Sequence, residues 1–421
     1  MTKIAKIIAR EVLDSRGHPT IEAEVHLQDG AIGRAIVPSG ASTGRAEAAE
    51  LRDRDDTRYD GRGVRNAVAR LHDTVAPALT GHDAADQAGL DRVLLSLDDS
   101  PEKKTLGGNT LLAVSLAAAH AAAASRRVPL YRHLNDLFRQ VDADAPGPAM
   151  PRPMVNMISG GLHAGGNIDF QDFMIIPPLG VEFAAALEEI VRVYHRLGER
   201  LAAADYEGHL VGDEGGFGPR LRSNDEAAEF IVGAIGAARL RPGDEFSLAL
   251  DVAASHFFDG AHYRLAATGG RQMTSAEMVD YLASLRDRFP ITSIEDPLAE
   301  EDWSGWQTIT ARLGASTRLV GDDLFTTNVA RLRHGVELNA ANSILIKVNQ
   351  IGTLSETFAA IALARRVGYE YVVSARSGET EDTTIADLAV ATAAHYIKIG
   401  SVARSERLAK YNQLLRIAEE L

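Results

Sequence analysis

Ser343-Ile344-Leu345-Ile346-Lys347-Val348-Asn349 decides the fold. Ile344, Leu345 and Ile346 in succession predict a strand buried on both faces, as in a parallel sheet. A lysine follows where that strand should end. An ammonium at the edge of a core is costly unless it is paired or has chemistry to do. Three other segments share this form. Ser247-Leu248-Ala249-Leu250 runs into Asp251, Ile291-Thr292-Ser293-Ile294 into Glu295, and Arg318-Leu319-Val320-Gly321 into Asp322. Parallel neighbours built this way gather three acids and one lysine at the C-terminal end of a barrel, where (β/α)8 enzymes place their chemistry.

Around these runs, strand-like and helical segments alternate. Met174-Ile175-Ile176 precedes a helical stretch over 181–205, and Phe246-Leu250 precedes a glycine-rich hairpin and a helix over 275–289. Tyr371-Val372-Val373 and Tyr396-Ile397-Lys398 continue the pattern to the C-terminus. Such alternation predicts a closed α/β barrel. The N-terminal third differs. Residues 3–37 alternate at period two, with a turn at Asp29-Gly30, and 64–138 are helical. Pro146, Pro148, Pro151 and Pro153 mark a boundary. The expected organisation is an α+β capping domain over 1–139, a linker over 140–153 and the barrel over 154–421.

Composition narrows the function. The 421-residue chain is 45% hydrophobic, enough for two cores. A formal net charge of −14 argues against nucleic-acid binding. The absence of cysteine removes disulfides, thiolate catalysis and cysteine metal sites. No signal-peptide pattern opens the sequence, and the apolar run 111–124 is too short to cross a bilayer. The expectation is a cytoplasmic protein without membrane partners.

Asp251, Glu295 and Asp322 together suit a hard divalent cation such as Mg²⁺ that keeps waters for exchange, although each alone reads more readily as a helix cap. Lys347 is the candidate base, its pKa expected to be lowered by the metal and by Lys398; a salt bridge to one of the acids is the alternative. Glu214, in Gly212-Asp213-Glu214-Gly215-Gly216, is a candidate general acid or part of a plain turn. Arg376 and Ser377, at a strand end beside glycine, suit an anion. Ser42 offers a hydroxyl to phosphate or metal, and His163 stands alone in a glycine-rich loop.

Assembled, these segments resemble the enolase (phosphopyruvate hydratase) family over nearly the whole chain. The matching stretches include Asp14-Ser15-Arg16-Gly17, Ser39-Gly40-Ala41-Ser42-Thr43-Gly44, Gly212-Asp213-Glu214-Gly215-Gly216, Ser293-Ile294-Glu295-Asp296-Pro297, Val320-Gly321-Asp322-Asp323-Leu324-Phe325 and Ser377-Gly378-Glu379-Thr380. The resemblance implies an enolase-type (β/α)8-like barrel behind a smaller α+β domain, in a homodimer or higher homo-oligomer. It implies two Mg²⁺ ions, one on Asp251, Glu295 and Asp322 and a second on Ser42 and the substrate phosphate. Lys347 would abstract the C2 proton of 2-phosphoglycerate and Glu214 would assist loss of the C3 hydroxyl. Lys398 would bind the carboxylate, Arg376 and Ser377 the phosphate, and His163 would close over it.

Three positions depart from the family pattern. Asp172 stands where the family has glutamate in Gln-Glu-Phe, Ala375 where it has histidine before Arg-Ser-Gly-Glu, and Ile399 where it has threonine in Ile-Lys-Thr-Gly. The first two flank the leaving hydroxyl in the family, and shortening an acid by one methylene in a tight site can lower rate by about a hundredfold. The implied readings are enolase activity proper, a specialised paralogue of the carboxyphosphonoenolpyruvate synthase kind acting on a modified phosphorus-containing carboxylate, or a non-catalytic scaffold.

Overall fold

The computed structural model describes residues 2–41 and 44–421. Strands β1 (Ile4–Leu13), β2 (Pro19–Leu27) and β3 (Ile32–Ile36) form an antiparallel meander. The alanine-rich helix Gly108–Arg126 lies on it, with Leu111 through Ala119 buried. A Cβ at Gly33 would stand 2.1 Å from the Ala121 amide nitrogen, so glycine there and alanine opposite allow the sheet and helix to touch backbone to backbone.

The barrel strands are β4 (Arg152–Ser159), β5 (Asp172–Ile176), β6 (Ser247–Asp251), β9 (Ile291–Glu295), β10 (Arg318–Gly321), β11 (Ser343–Ile346), β12 (Glu370–Ser374) and β13 (Tyr396–Gly400). Between β6 and β9 the chain makes a small hairpin of β7 (Tyr263–Leu265) and β8 (Arg271–Met273). The barrel closes in the order β10-β11-β12-β13-β4-β5-β6-β9. Its lumen is filled by Met154, Met174, Ile176, Ala249, Val320, Leu345, Val372 and Tyr396, so it is packed and not a pore.

Two features were not legible in the sequence. Strand β5 runs antiparallel to both β4 and β6. The β4–β5 connection holds only the short turn Gly161–Ala164, too little to carry the chain back for a parallel pairing. Between β5 and β6 two helices, Phe183–Ala203 and Asn224–Ala237, pack on each other and bring the chain back on the same side. In addition, β4 starts at Arg152, inside the proline-rich stretch read as linker, and the preceding helix runs to Val141.

The N-terminal sheet docks on the mouth of the barrel. Ser39 and Gly378 exchange backbone hydrogen bonds of 2.8 and 2.9 Å, and the Ser15 amide donates to the Glu379 carbonyl at 2.7 Å. No helix among the described residues is long and apolar enough to cross a membrane.

Candidate active site

The register of the parallel strands aligns the chemistry. Asp251 pairs with Glu295 across β6 and β9, and Val320 with Glu295 across β9 and β10. Asp322 and Lys347 each stand one residue past their strands. The side chains meet. Lys398 Nζ lies 2.7 Å from Asp251 Oδ2 and 2.8 Å from both Glu295 oxygens, and Lys347 Nζ lies 2.5 Å from Asp322 Oδ2. All five are buried or nearly so.

Burial pushes the Asp251 carboxyl up, but the Lys398 ammonium overrides it and holds the pKa at about 2. Glu295 is pushed well above the carboxylate range by burial and by the Asp251 charge. Carboxylates crowded together in a buried pocket, with oxygen donors only, are the chemistry of a hard-cation site. The donor types suit Mg²⁺. Beside them, the Asp296 carboxylate accepts from the amides of Asp322 and Asp323 at 2.9 and 2.8 Å. Asp296, Asp322 and Asp323 bring ligand atoms within 4.8 Å of one another, as do His163, Asp172 and Glu214.

The lowered pKa expected of Lys347 supposes a bound metal beside it; the protein side chains by themselves act the other way. Burial does pull it down, yet Asp322, with Glu295 behind it, outweighs burial together with the Arg376 and Lys398 charges, and the pKa is raised. In this state the salt-bridge reading of Lys347 is the one realised.

A second cluster faces the first. His163 Nδ1 lies 2.8 Å from Asp172 Oδ2, and His163 Nε2 lies 3.9 Å from Glu214 Oε1. Asn156 and Ser159 both donate to Asp172 Oδ1. Burial lowers the His163 pKa, but Asp172 and Glu214 reverse the shift and hold it at about 9. Burial raises the Asp172 pKa, and the His163 charge opposes that shift. Glu214 sits below its usual range because His163 and Arg407 outweigh burial. Its loop is fixed from behind: Gly400 has φ +113°, and a Cβ there would stand 2.7 Å from the Glu214 carbonyl.

Arg376 is buried and pairs with Glu47 at 3.0 Å and with the Asn349 side chain at 2.9 Å. Ser377 Oγ accepts from the Ala41 amide at 2.7 Å and from Arg16 Nη1 at 3.4 Å, which leaves its own proton to donate. Ser42 lies outside the described residues.

The sequence reading missed several groups here. Asp296 and Asp323 were signalled as the second acids of Glu295-Asp296 and Asp322-Asp323. Glu47 and Gln350 had no signal: Gln350 Nε2 donates to Asp322 Oδ1 at 2.8 Å within the barrel and to Glu47 Oε1 at 3.3 Å, the latter a contact that only docking of the two domains brings about. Arg407, fully buried, donates to the carbonyls of Arg376, Ser377 and Ile399 and so braces the phosphate-type loop.

Family comparison decides the class. Residues 4–134 match the model "Enolase, N-terminal domain", and residues 148–421 match "Enolase, C-terminal TIM barrel domain". The chain belongs to the enolase family. It is an enolase-superfamily hydro-lyase. Enolases depend on Mg²⁺ in general and act on small phosphorylated carboxylates, in keeping with the buried acids and the Arg376–Ser377 loop in this chain. The three departures of this enolase-family chain lie in different surroundings. Asp172 lies within the His163 cluster, and Ala375 and Ile399 are buried among apolar side chains beside Lys398, whose carbonyl accepts from the Ala375 amide at 2.8 Å.

Proposed function

We propose that this protein dehydrates 2-phosphoglycerate to phosphoenolpyruvate with Mg²⁺. The observation that carries this reading is the meeting of two lysines and three strand-end carboxylates in one buried cluster, Lys398 between Asp251 and Glu295 and Lys347 on Asp322. Mg²⁺ held by Asp251, Glu295 and Asp322 would supply positive charge to the substrate carboxylate, and a second ion would be held by Ser42 and the phosphate. Arg376 and Ser377 hold the phosphate, the first by its fork of donors and the second by its free hydroxyl proton. Lys398 binds the carboxylate and stabilises the extra negative charge that appears there when C2 loses its proton. Lys347 takes that proton once Asp322 is no longer its sole partner. Glu214 delivers a proton to the departing C3 hydroxyl, and the His163–Asp172 pair, 3.9 Å from it, is the store of that proton. His163 closes over the bound phosphate.

A second reading is supported by the departures. Asp172 is one methylene shorter than the family's acid, and Ala375 lacks the family's imidazole donor at the end where the hydroxyl leaves. Both favour a modified phosphorus-containing carboxylate, as in a carboxyphosphonoenolpyruvate synthase. Turnover of 2-phosphoglycerate with Mg²⁺, followed by phosphoenolpyruvate absorbance, separates the two. Near-normal turnover supports the first reading. Slow turnover that Ala375→His increases supports the second. The homodimer, the two-ion count and the domain limits given above belong to the same proposal.

A further inference from the structure

Next to the Ser377 loop, at the edge of the N-terminal sheet, is a cavity of about 370 Å³ lined by Arg16, His18, Ser39, Glu50, Arg52 and Arg62. Three guanidiniums face one carboxylate in its wall. That carboxylate is committed: Arg52 Nη2 lies 2.5 Å from Glu50 Oε1, and Ser39 Oγ donates to Glu50 Oε2 at 3.1 Å. Asp14 stands beside Arg16 at a loose 3.7 Å. Arg62 has no carboxylate within ion-pair distance among the described residues; its Nη1 lies 2.6 Å from His18 Nε2. Burial and then the Arg62 charge lower the His18 pKa. Arg16 Nε is buried with no hydrogen-bond partner among the described residues, and burial presses the Arg16 pKa below its ordinary value.

A local excess of positive charge is out of character for a chain of net charge −14. Guanidiniums kept short of counter-charge at a concave surface attract an anion, and their planar forks match the oxygens of phosphate. At about 30 Å³ per water, the cavity has room for such an ion with waters around it. We propose that this cavity binds a phosphate-class oxyanion on Arg16, Arg62 and His18, at a site separate from Arg376. Arg16 links the two places, because it also donates to Ser377 Oγ and, at 3.1 Å, to the Ser39 carbonyl. An anion drawn onto Arg16 competes for the guanidinium that braces Ser377. Occupancy therefore changes how the loop presents Ser377, whatever substrate the main site takes.

The test is calorimetric titration of inorganic phosphate into the Mg²⁺-free full chain, as wild type, Arg62→Glu, His18→Ala and Arg376→Met. Binding should persist in Arg376→Met, weaken at least tenfold in Arg62→Glu, and weaken in His18→Ala. Arg62 is exposed, so its replacement leaves the fold intact, which circular dichroism checks. Glycerol phosphate run in parallel distinguishes the sources: equal affinity marks the terminal phosphate of a metabolite, and loss of binding marks the free ion. No heat in wild type, abolition by Arg376→Met alone, or wild-type affinity in Arg62→Glu would overturn the proposal.

Discussion

Lys347 Nζ stands 2.5 Å from Asp322 Oδ2, each side chain one residue past the end of its own barrel strand. The parallel pairing of Val320 with Ser343 puts β10 and β11 side by side, and the pair forms at their C-terminal mouths. In this arrangement the ammonium occupies the acid and the acid holds the ammonium charged. A cation at the carboxylates would relieve both.

Replacing Lys347 by methionine should therefore separate binding from proton transfer. Exchange of the C2 hydrogen of 2-phosphoglycerate in D₂O should fall by about 10²–10⁴-fold, the usual contribution of a positioned base. Mg²⁺ affinity by calorimetry should hold or rise, since Asp322 loses its competitor. Retained exchange would remove Lys347 from the role of base.

Mg²⁺ should stabilise the fold as well as activate it. A ligand that binds only the native state adds about 2.7 kcal/mol at a hundred times its Kd. Thermal unfolding should shift upward with Mg²⁺ concentration in wild type and respond weakly in Glu295→Gln. Chelation should abolish turnover and reverse the shift. An equal shift in Glu295→Gln would place the ion elsewhere.

The His163–Asp172 contact predicts an unusual histidine. In the metal-free protein the His163 ring should titrate near its value of about 9, far above a free imidazole. Asp172→Asn removes the charge 2.8 Å away and should bring it down toward the ordinary range. NMR of the histidine ring protons measures both. An unshifted His163 in wild type would mean that Asp172 and Glu214 do not hold the ring charged as described.

Arg407 is fully buried and reaches three carbonyls of the loop and strand that carry Arg376, Ser377 and Ile399. Arg407→Met should leave those oxygens and the Glu214 charge uncompensated and destabilise by about 3–5 kcal/mol. Denaturant unfolding should show the loss as a lower midpoint with an unchanged slope. Arg407→Lys should recover only part of it, because one ammonium cannot match the planar fork.

Asp387, away from the active site, sets a pH slope. Burial pushes its carboxyl up to about 7, while the Gln413 side chain and the Tyr131 amide pull the other way. The native state thus holds a proton that the unfolded chain gives up near pH 4. Stability from this group is complete below about pH 4 and is lost as pH rises toward about 7, by a few kcal/mol in order of magnitude. Asp387→Asn should flatten that decline between pH 4 and 7 in unfolding titrations. An unchanged slope would show the carboxylate to be ionised in the native state.

Much of this molecule can be read from residue patterns because its chemistry sits at strand ends. A short apolar run fixes a buried parallel strand, and the residue that breaks the run is then at a mouth of the barrel. Asp251, Glu295, Asp322, Lys347 and Lys398 were found in this way. Glu214 and His163 lie in irregular glycine-rich loops, where no period marks them and a plain structural role reads as well; Asp172, and the roles of all three, came only with the family resemblance. Glu47, Gln350 and Arg407 escaped both approaches.

The sequence by itself determined the barrel, the capping domain and the acid and amine ends of the strands, since hydrophobic period and strand length are local properties of the chain. Only the tertiary structure decided that β5 runs antiparallel, that Lys347 is held charged by Asp322, and that Arg16 braces Ser377 across 361 positions of sequence. Strand direction depends on what the connecting segments can span, and a pKa depends on which charges share a low-dielectric space. Neither is a property of a residue and its sequence neighbours; both appear when distant segments are packed together.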